Sequence, residues 1–365
     1  AAFRPRHLAP LAQIFPVLSD LWSLKGSPVK RFEPAELRRL GLAALREILT
    51  RLADERPLVI HIDDFQWADV DGANLLGSLV RPPDPPAILL IVSFRDLGEG
   101  ERSEALTELT SAESRLGRDV RELRLDPLSP EEARELAWKL LEPAEEGTVE
   151  QVAVARQRAD SFARGSRGNP FYIGQMVLNE GPDVDSEVGS SGAGDDRLVA
   201  RRIVGLTPEA RRLLAAVAVA GGPTPLTVVR EVYEGLIHAD SSWCEDIADL
   251  EDVIESLCEL GLLSRREELD THDSSSSSGS VIPVLDAAHG RIREVTVSEL
   301  ETEELREIHL ELANALEALG GKPEALAEHL EQAGEYARAA EYTERAAKQA
   351  VETLAFARAV ELYRR

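Results

Sequence analysis

Cysteine is scarce in this 365-residue chain, which contains two, Cys244 and Cys258. Both lie in stretches with a helical pattern, and their spacing fits neither a metal site nor a redox pair. A disulfide framework is therefore disfavoured, as is typical of proteins of the reducing cytosol. We accordingly expect a cytoplasmic protein.

Long apolar runs are also missing. The longest, Ile88–Val92, falls far short of the ~20 residues that a helix needs to cross a bilayer. The N-terminus lacks the charged-then-apolar pattern of a secretory signal. The sequence thus predicts neither a membrane-spanning nor a secreted protein.

Positive charge is in short supply, with 41 Lys and Arg against 66 Asp and Glu and a net charge of −25. A field of this sign repels nucleic-acid backbones and anionic lipid surfaces. A general nucleic-acid-binding surface and a membrane partner are therefore disfavoured for this segment.

The length suggests two or three domains. Residues 1–50 are predicted to be mostly helical, and two apolar runs, Leu58–Ile62 and residues 88–94, flank a helical stretch at about 71–80. Strand, helix and strand, with both strands apolar on each face, indicate a parallel sheet covered on both sides. Residues 120–125 are a third candidate strand.

The next part of the chain is predicted to be helical. Ser129 followed by Pro-Glu-Glu is a helix start with a cap, a proline in the first turn and a glutamate at the third position, and Thr207 opens a similar one. Between these starts, residues 181–196 are rich in Gly, Ser and Asp, which predicts a mobile linker.

Residues 206–297 contain several helical stretches and then two short strands, 262–266 and 281–285, around a Ser-rich tract. Helices followed by a hairpin predict a winged helix, and the alternative is a generic helical bundle with a long loop. From about residue 301 the chain is rich in Ala, Glu and Leu and is predicted to be helical. Within this part, Tyr336 and Phe356 each begin the pattern aromatic-Ala-Arg-Ala-apolar-Glu-apolar. This self-similarity predicts the start of a TPR-like helical repeat array, which would bind protein partners.

Two adjacent carboxylates, Asp63 and Asp64, follow the first apolar strand. Open α/β sheets bind ligands at the carboxyl ends of their strands, and successive side chains on a strand point in opposite directions. One acid can therefore hold a hydrated Mg²⁺ that bridges phosphates while the other orients an attacking water. An acid pair alone is also common at helix starts.

The whole stretch, Leu-Val-Ile-His-Ile-Asp-Asp-Phe-Gln-Trp-Ala-Asp from residue 58, closely resembles the Walker B motif of the STAND branch of AAA+-related P-loop ATPases. The resemblance implies Asp63 as the Mg²⁺ acid and Asp64 as the water-orienting acid of an ATP or ADP site. His61 departs from an all-apolar strand, and we interpret it as a hydrogen-bonded structural histidine.

Three further elements resemble the same family. Arg95 ends the second strand like the family's sensor arginine, which contacts the γ-phosphate, although such an arginine is by default a solvated surface residue. Gly168, Asn169 and Pro170 resemble the lid turn whose proline packs on adenine. His289 resembles the winged-helix histidine that contacts the β-phosphate of ADP, with a core or capping histidine as the alternative. Gly290 replaces the aspartate that usually follows, which puts the locking role of that acid in doubt.

The P-loop, Gly-x-x-x-x-Gly-Lys-Ser/Thr, is nowhere in the sequence. Since its amides and lysine bind the phosphates, this chain alone is expected to bind ATP poorly. We expect the P-loop upstream of Ala1 and interpret the chain as a fragment.

The fold class predicted is thus the C-terminal part of an α/β P-loop NTPase core, followed by an all-α lid, a winged helix and TPR-like helical repeats. The domains are a partial NTPase core (residues 1–125), the lid (126–180), a linker (181–197), the winged-helix domain (198–300) and the first repeats (301–365).

As a function, the resemblance implies an ATP-binding and hydrolysing signalling switch within a larger bacterial regulator, of a kind often fused to a serine/threonine kinase. Nucleotide-dependent oligomerisation is a further expectation. The alternatives are a non-catalytic protein-interaction scaffold and a transcriptional regulator that uses the winged helix on DNA.

Overall fold

A computed structural model gives the three-dimensional structure of most of the chain. It describes residues 4–15, 18, 32–95, 103–110, 120–141, 148–178, 193–238, 249–269, 281–353 and 355–365. Cys244, residues 181–192 of the predicted linker and the Ser-rich tract at 274–280 lie outside these ranges.

The N-terminal part is an α/β unit. Its elements in chain order are α1 (Leu8–Ile14), α2 (Pro34–Glu55), β1 (Leu58–Ile62), a 3-10 turn (Phe65–Trp67), α3 (Val70–Val80), β2 (Ile88–Val92) and α4 (Glu104–Thr110). The two predicted strands are present and pair in parallel, with Leu58 opposite Ile88 and Ile62 opposite Val92. Phe65 is buried against α3 and α4, and Ile62 and Val92 pack on the same cluster. Burying such a side chain contributes roughly 2–3 kcal/mol.

The other face of this sheet is exposed. The side chains of Val59, Leu89 and Ile91, which alternate with the packed ones, are all exposed to solvent. The interpretation of a sheet covered on both faces is therefore wrong for the described residues. Apolar residues on both faces of a strand allow other elements to pack on both faces. Whether an element does pack there cannot be read from the strand itself.

The prediction of a third strand at residues 120–125 is also wrong. Residues 120–129 form no regular element in the structure, and Leu123 and Leu125 are almost fully exposed. A strand exists through its ladder of hydrogen bonds to a neighbour, and apolar composition alone does not supply one.

A three-helix unit follows, formed by α5 (Pro130–Leu140), α6 (Val149–Gly165) and α7 (Pro170–Leu178). The predicted start at Ser129 is confirmed as a capping box: the Ser129 hydroxyl accepts from the Glu132 amide, and the Glu132 carboxylate accepts from the Ser129 amide at 2.8 Å. The core is built on alanines, with Ala133 and Ala137 of α5 facing Ala159 of α6. Small side chains let these helices approach closely.

Within the described residues, the central unit comprises five helices and three strands. These are α8 (Ala193–Val204), α9 (Pro208–Ala220), β3 (Thr224–Pro225), α10 (Leu226–His238), α11 (Leu250–Glu259), β4 (Leu263–Leu269), β5 (Val281–Ala287) and α12 (Gly290–Ser298). The strands form an antiparallel sheet in the order β3-β5-β4, so that the two predicted strands are present as neighbours. Thr207 caps α9 as predicted, accepting from the Ala210 amide at 3.3 Å. Residues 193–197, included in the predicted linker, begin α8.

The chain continues in four helices that each pack on the next, which we call the repeat helices: α13 (Thr302–Ala318), α14 (Pro323–Ala333), α15 (Tyr336–Glu352) and α16 (Phe356–Arg364). The two similar sequence patterns open α15 and α16, and the residue before each has nearly the same backbone angles. Glycine at 334 ends α14 with φ of 87°, a conformation that glycine adopts without strain. No described helix is long and apolar enough to span a membrane.

Candidate functional site

The strand register places Asp63 beside Ser93. Since Ile62 lies opposite Val92, the next residue of each strand meets at the carboxyl end of the sheet, which we call the sheet edge. The Ser93 hydroxyl donates to Oδ1 of Asp63, and the Asp64 amide donates to the same oxygen at 3.0 Å. These hydrogen bonds, that from Ser93 first, hold the pKa of the Asp63 carboxyl below its usual value. Asp63 therefore presents a charged carboxylate at the sheet edge.

His61 lies on the exposed face of β1, directly before this edge. Its Nε2 is 3.1 Å from the Ser93 hydroxyl oxygen. The histidine thus joins the Ser93–Asp63 pair from the side, as the interpretation of a hydrogen-bonded structural histidine anticipated.

Asp64 turns the chain out of the strand. Its φ of 51° and ψ of 41° are left-handed, a conformation that aspartate tolerates better than most residues. Gln66 then bridges two groups: its side-chain nitrogen donates to Oδ1 of Asp64 at 2.8 Å, and its side-chain oxygen accepts from the Arg95 amide at 3.2 Å. The Gln66 amide thereby ties the end of β1 to the segment after β2. Trp67 beside it is 84% exposed.

Arg95 points its side chain toward the central unit. Its Nη1 donates to Oε1 of Glu294, on α12, at 2.8 Å. The other oxygen of Glu294 accepts from Arg291 at 2.6 Å, and Arg291 in turn donates to Asp196 at 2.7 Å. Although burial opposes it, the hydrogen bonds from Arg95 and Arg291 lower the pKa of Glu294. Arginine and carboxylate groups thus alternate from the sheet edge to α8.

The turn at Gly168 is fixed by its backbone. Glycine here has φ of 81°, its carbonyl accepts from the Leu128 amide at 2.8 Å, and an added Cβ would overlap the Leu128 carbonyl. The Asn169 side chain accepts from the Phe171 amide at 3.0 Å, and Pro170 is the first residue of α7. The glycine, the asparagine and the proline thus build one tight entry into α7.

His289 connects this turn to the sheet edge. Its ring stacks on Phe171 with the ring centres 4.0 Å apart, and its Nδ1 accepts from the Arg291 amide at 3.0 Å, which caps α12. Burial, and then the charge of Arg95, lower the pKa of His289. In a neutral ring whose Nδ1 accepts, Nε2 carries the proton and is a hydrogen-bond donor.

The structure therefore places the sequence-predicted residues in two groups, one at the sheet edge and one at the entry to α7, and His289 at the start of α12 contacts the second group through Phe171. Asp63, Asp64 and Arg95 are joined through Ser93 and Gln66. Arg95 reaches α12, where His289 stacks against the residue after Pro170. The contacts of His289 agree with the alternative interpretation of a capping histidine. Because its Nδ1 accepts from Arg291, the Nε2–H of the neutral ring can still donate a hydrogen bond.

Sequence reasoning assigned no role to Ser93, Gln66 or Glu294. Ser93 could have been found from the parallel register, because it follows β2 as Asp63 follows β1. Glu294 could have been found from helical spacing, because it lies one turn after Gly290 on the same face.

The donor set at the sheet edge fits Mg²⁺. Asp63 and the Ser93 hydroxyl supply hard oxygen donors, which this cation prefers. Within the described ranges there is no group of three or more His, Cys, Asp or Glu side chains placed to hold a metal by themselves. One carboxylate with a neighbouring hydroxyl suits a magnesium ion, which proteins commonly hold by one or two carboxylates while phosphate oxygens and waters complete its coordination shell.

Comparison with known proteins gives a family match over part of the chain and a similar fold. Residues 2–92 match the family model described as the AAA ATPase domain. A signal transduction ATPase with numerous domains (STAND) protein with a tetratricopeptide repeat sensor, from Pyrococcus horikoshii, has 15% sequence identity and a TM-score of 0.50, with 96% of this chain and 50% of that one covered. The ORC1 protein of Aeropyrum pernix in complex with DNA has 16% identity and a TM-score of 0.24 over 80% of this chain and 73% of that one. No curated protein matches the sequence.

This chain thus spans about half the length of the Pyrococcus protein. At 15% identity that likeness establishes a fold, and the family model adds the AAA ATPase domain at residues 2–92. Together the two findings confirm the resemblance of this chain to STAND-type, AAA+-related ATPases.

Proposed function

We propose that this chain is part of a nucleotide-dependent signalling switch that binds and hydrolyses ATP at the sheet edge. The observation that carries the proposal is the joining of Asp63, Asp64 and Arg95 at that edge by the side chains of Ser93 and Gln66. Two acids with different partners are suited to two different tasks.

In this proposal Asp63, whose pKa is lowered, holds Mg²⁺ together with the nucleotide phosphates. The ion would neutralise charge on the phosphates when bound. Asp64, which accepts from Gln66, orients the attacking water. Arg95 contacts the γ-phosphate.

The remaining residues would hold the rest of the nucleotide. Pro170, positioned by Gly168 and Asn169, packs on the adenine ring. His289 donates from Nε2 to the β-phosphate of ADP, since its Nδ1 is occupied by the Arg291 amide. His289 stacks on Phe171, the residue that follows Pro170, so that one aromatic residue connects the two contacts.

The central unit and the repeat helices would transmit the signal. We interpret the central unit as a winged helix and α13–α16 as the beginning of a TPR-like sensor that binds protein partners. Exchange of ADP for ATP then loosens the central unit from the sheet edge. A nucleotide can drive this change because the two states differ in their affinity for it. A fused kinase domain and nucleotide-dependent oligomers belong to the same proposal.

A transcriptional role for the central unit is less well supported. Its dense basic set consists of four arginines, of which Arg201 is exposed. The other three, Arg202, Arg211 and Arg212, each donate to a backbone carbonyl of the fold: Leu260, Val204 and Leu236 respectively. Guanidinium groups engaged in this way are poorly placed to contact phosphates of DNA.

The test uses the protein expressed from its complete reading frame, with Asp64→Asn as the variant. We expect steady-state ATP hydrolysis to fall about a hundredfold or more, because the water loses its orienting base. ATP affinity, measured by calorimetry, is expected to change less than about threefold.

Asp84→Asn is the matched control, because Asp84 is an exposed aspartate that also has a positive φ, of 53°. It is expected to leave both quantities unchanged. Unaltered turnover in Asp64→Asn would contradict the role assigned to Asp64. Absence of ATP binding by the complete wild-type protein would leave the scaffold as the better hypothesis.

A further inference from the structure

The guanidinium of Arg95 is already occupied by a carboxylate. Its Nη1 lies 2.8 Å from Oε1 of Glu294, and residues 95 and 294 come from separate units of the fold. Arginine binds carboxylates and phosphates through the same planar set of donors. A group that presents oxygens to Arg95 in this place occupies the position that a phosphate would take.

Helical spacing explains why the carboxylate comes from residue 294. Gly290 begins α12, and a Cβ at that position would lie 3.3 Å from Nη2 of Arg95. A side chain at 290 would require the end of the Arg95 side chain to shift by a few tenths of an ångström. Residue 294 lies four positions later on the same face, from which a longer glutamate side chain reaches back to the guanidinium.

Glu294 is held in position from its other side. Arg291 donates to its second oxygen at 2.6 Å, and Asp196 of α8 holds Arg291 through two hydrogen bonds. The hydrogen bond that Arg291 donates to Asp196 raises the pKa of Arg291, which therefore stays charged. Glu294 is thus pre-oriented toward Arg95 by residues of the central unit alone.

The ion pair between Arg95 and Glu294 is weak enough for a phosphate to replace the carboxylate. The side chains of Arg95 and Glu294 are 53% and 39% exposed. An ion pair this accessible to water contributes little, up to about the equivalent of a fivefold change in an equilibrium constant. A terminal phosphate, which carries more negative charge than one carboxylate, can displace it.

We propose that Glu294 is a latch that competes with the terminal phosphate of a nucleoside triphosphate for Arg95. In the closed arrangement, Glu294 holds α12 against the sheet edge through Arg95. When a γ-phosphate takes the guanidinium, α12 loses this contact. Glu294 thus supplies, one helical turn later, an acidic side chain that is missing at position 290. This inference rests on the proposed function, because it assumes that Arg95 receives the phosphate.

The first experiment measures affinity in the complete protein with Glu294→Gln, which keeps the shape and removes the charge. We expect ATP to bind about two- to fivefold more tightly, because a competing charge is lost. ADP affinity is expected to stay the same or to fall, since ADP lacks the phosphate that Arg95 receives and its proposed contact His289 lies at the start of α12. Glu299→Gln, at an exposed position just after α12, is the matched control and is expected to change neither affinity.

A double-mutant cycle separates the latch from a general effect of charge. In an Arg95→Gln background, Glu294→Gln is expected to have no effect on ATP affinity. Equal tightening of ATP and ADP, or persistence of the effect without Arg95, would overturn the proposal.

The second experiment needs no nucleotide and therefore distinguishes the two proposals. Hydrogen exchange of the amides of α12 is expected to be faster in Glu294→Gln than in wild type or Glu299→Gln, since the closed contact is weakened. If the complete protein binds no nucleotide, the proposed function fails while this measurement still decides whether Glu294 closes the contact. Unchanged exchange would show that it does not.

Discussion

Gly168 is the residue whose backbone most tightly limits substitution at the candidate site. Its φ of 81° is left-handed, and an added Cβ would overlap the carbonyl oxygen of Leu128. Gly168→Ala is expected to destabilise the three-helix unit by about 1–3 kcal/mol, from backbone strain together with the displaced carbonyl. Urea denaturation followed by far-ultraviolet circular dichroism measures the change.

Gly174→Ala is the control for this substitution. Gly174 lies inside α7, six residues along the chain, and no atom lies within 4 Å of a Cβ added there. Alanine in the interior of a helix stabilises by up to about 1 kcal/mol relative to glycine. If both variants lost the same stability, the argument from the Gly168 turn would be wrong.

The residue scale also shows what a sequence motif can and cannot reveal. Asp63 and Asp64 were predicted as a pair with separate tasks, and the structure gives them different partners, Ser93 and Gln66. Those partners were not predicted, because they depend on the register of two strands and on the left-handed backbone of Asp64. Neither feature leaves a local pattern in the chain.

At the scale of elements, local signals predicted helices better than strands. The helix starts at Ser129 and Thr207 are confirmed, since a cap bonds to amides two or three residues away. The strand predicted at 120–125 is wrong, because a strand depends on a distant partner for its hydrogen bonds. The same dependence explains why the exposed face of β1 and β2 was not predicted.

A buried histidine pair between α13 and α14 makes the stability of the repeat helices depend on pH. Nδ1 of His309 lies 2.9 Å from Nδ1 of His329, and both side chains are buried. Burial lowers the pKa of each to about 4, from an ordinary value of 6.5. Between these values the unfolded chain binds more protons than the folded one. Stability is therefore complete above about pH 6.5 and is lost as the pH falls toward 4, with a slope of up to about 1.4 kcal/mol per pH unit for each histidine.

The double variant His309→Leu/His329→Leu isolates this contribution. Replacing both partners by apolar side chains leaves no unsatisfied nitrogen, so the fold is expected to persist at neutral pH. Denaturation midpoints measured from pH 7.5 to pH 4.5 should fall less steeply in the variant than in wild type. Parallel curves would contradict a role for the pair, because all carboxylates that titrate in this range are common to both proteins.

At the scale of the whole molecule, two contacts bring distant parts of the chain together. Arg95 meets Glu294 across 199 positions, and Asp71 of α3 accepts from the Ala357 amide of α16 across 286 positions. Sequence patterns describe neighbours along the chain or on one helix face, and they carry no sign of such pairs. Local patterns can therefore suggest where helices and strands follow one another along the chain. They cannot predict contacts between residues as far apart as Asp71 and Ala357.

Asp71 and α16 provide the last test, which concerns the link between the α/β unit and the repeat helices. The Asp71 carboxylate accepts from the Ala357 amide at 2.9 Å, at the second residue of α16. A carboxylate at this point bonds to an otherwise unpaired amide and interacts favourably with the helix dipole. Asp71→Ala is expected to speed hydrogen exchange in residues 355–365 about three- to fivefold, as the loss of an exposed charge-assisted cap of this kind predicts.

Glu131→Ala is the control, since Glu131 is likewise an acid in the first turn of its own helix, α5, and is exposed. It is expected to leave exchange in α16 unchanged. If Asp71→Ala also left it unchanged, the packing of α16 on α3 would not depend on this cap. Faster exchange confined to α16 would show instead that one carboxylate of α3 helps to hold the last of the repeat helices in place.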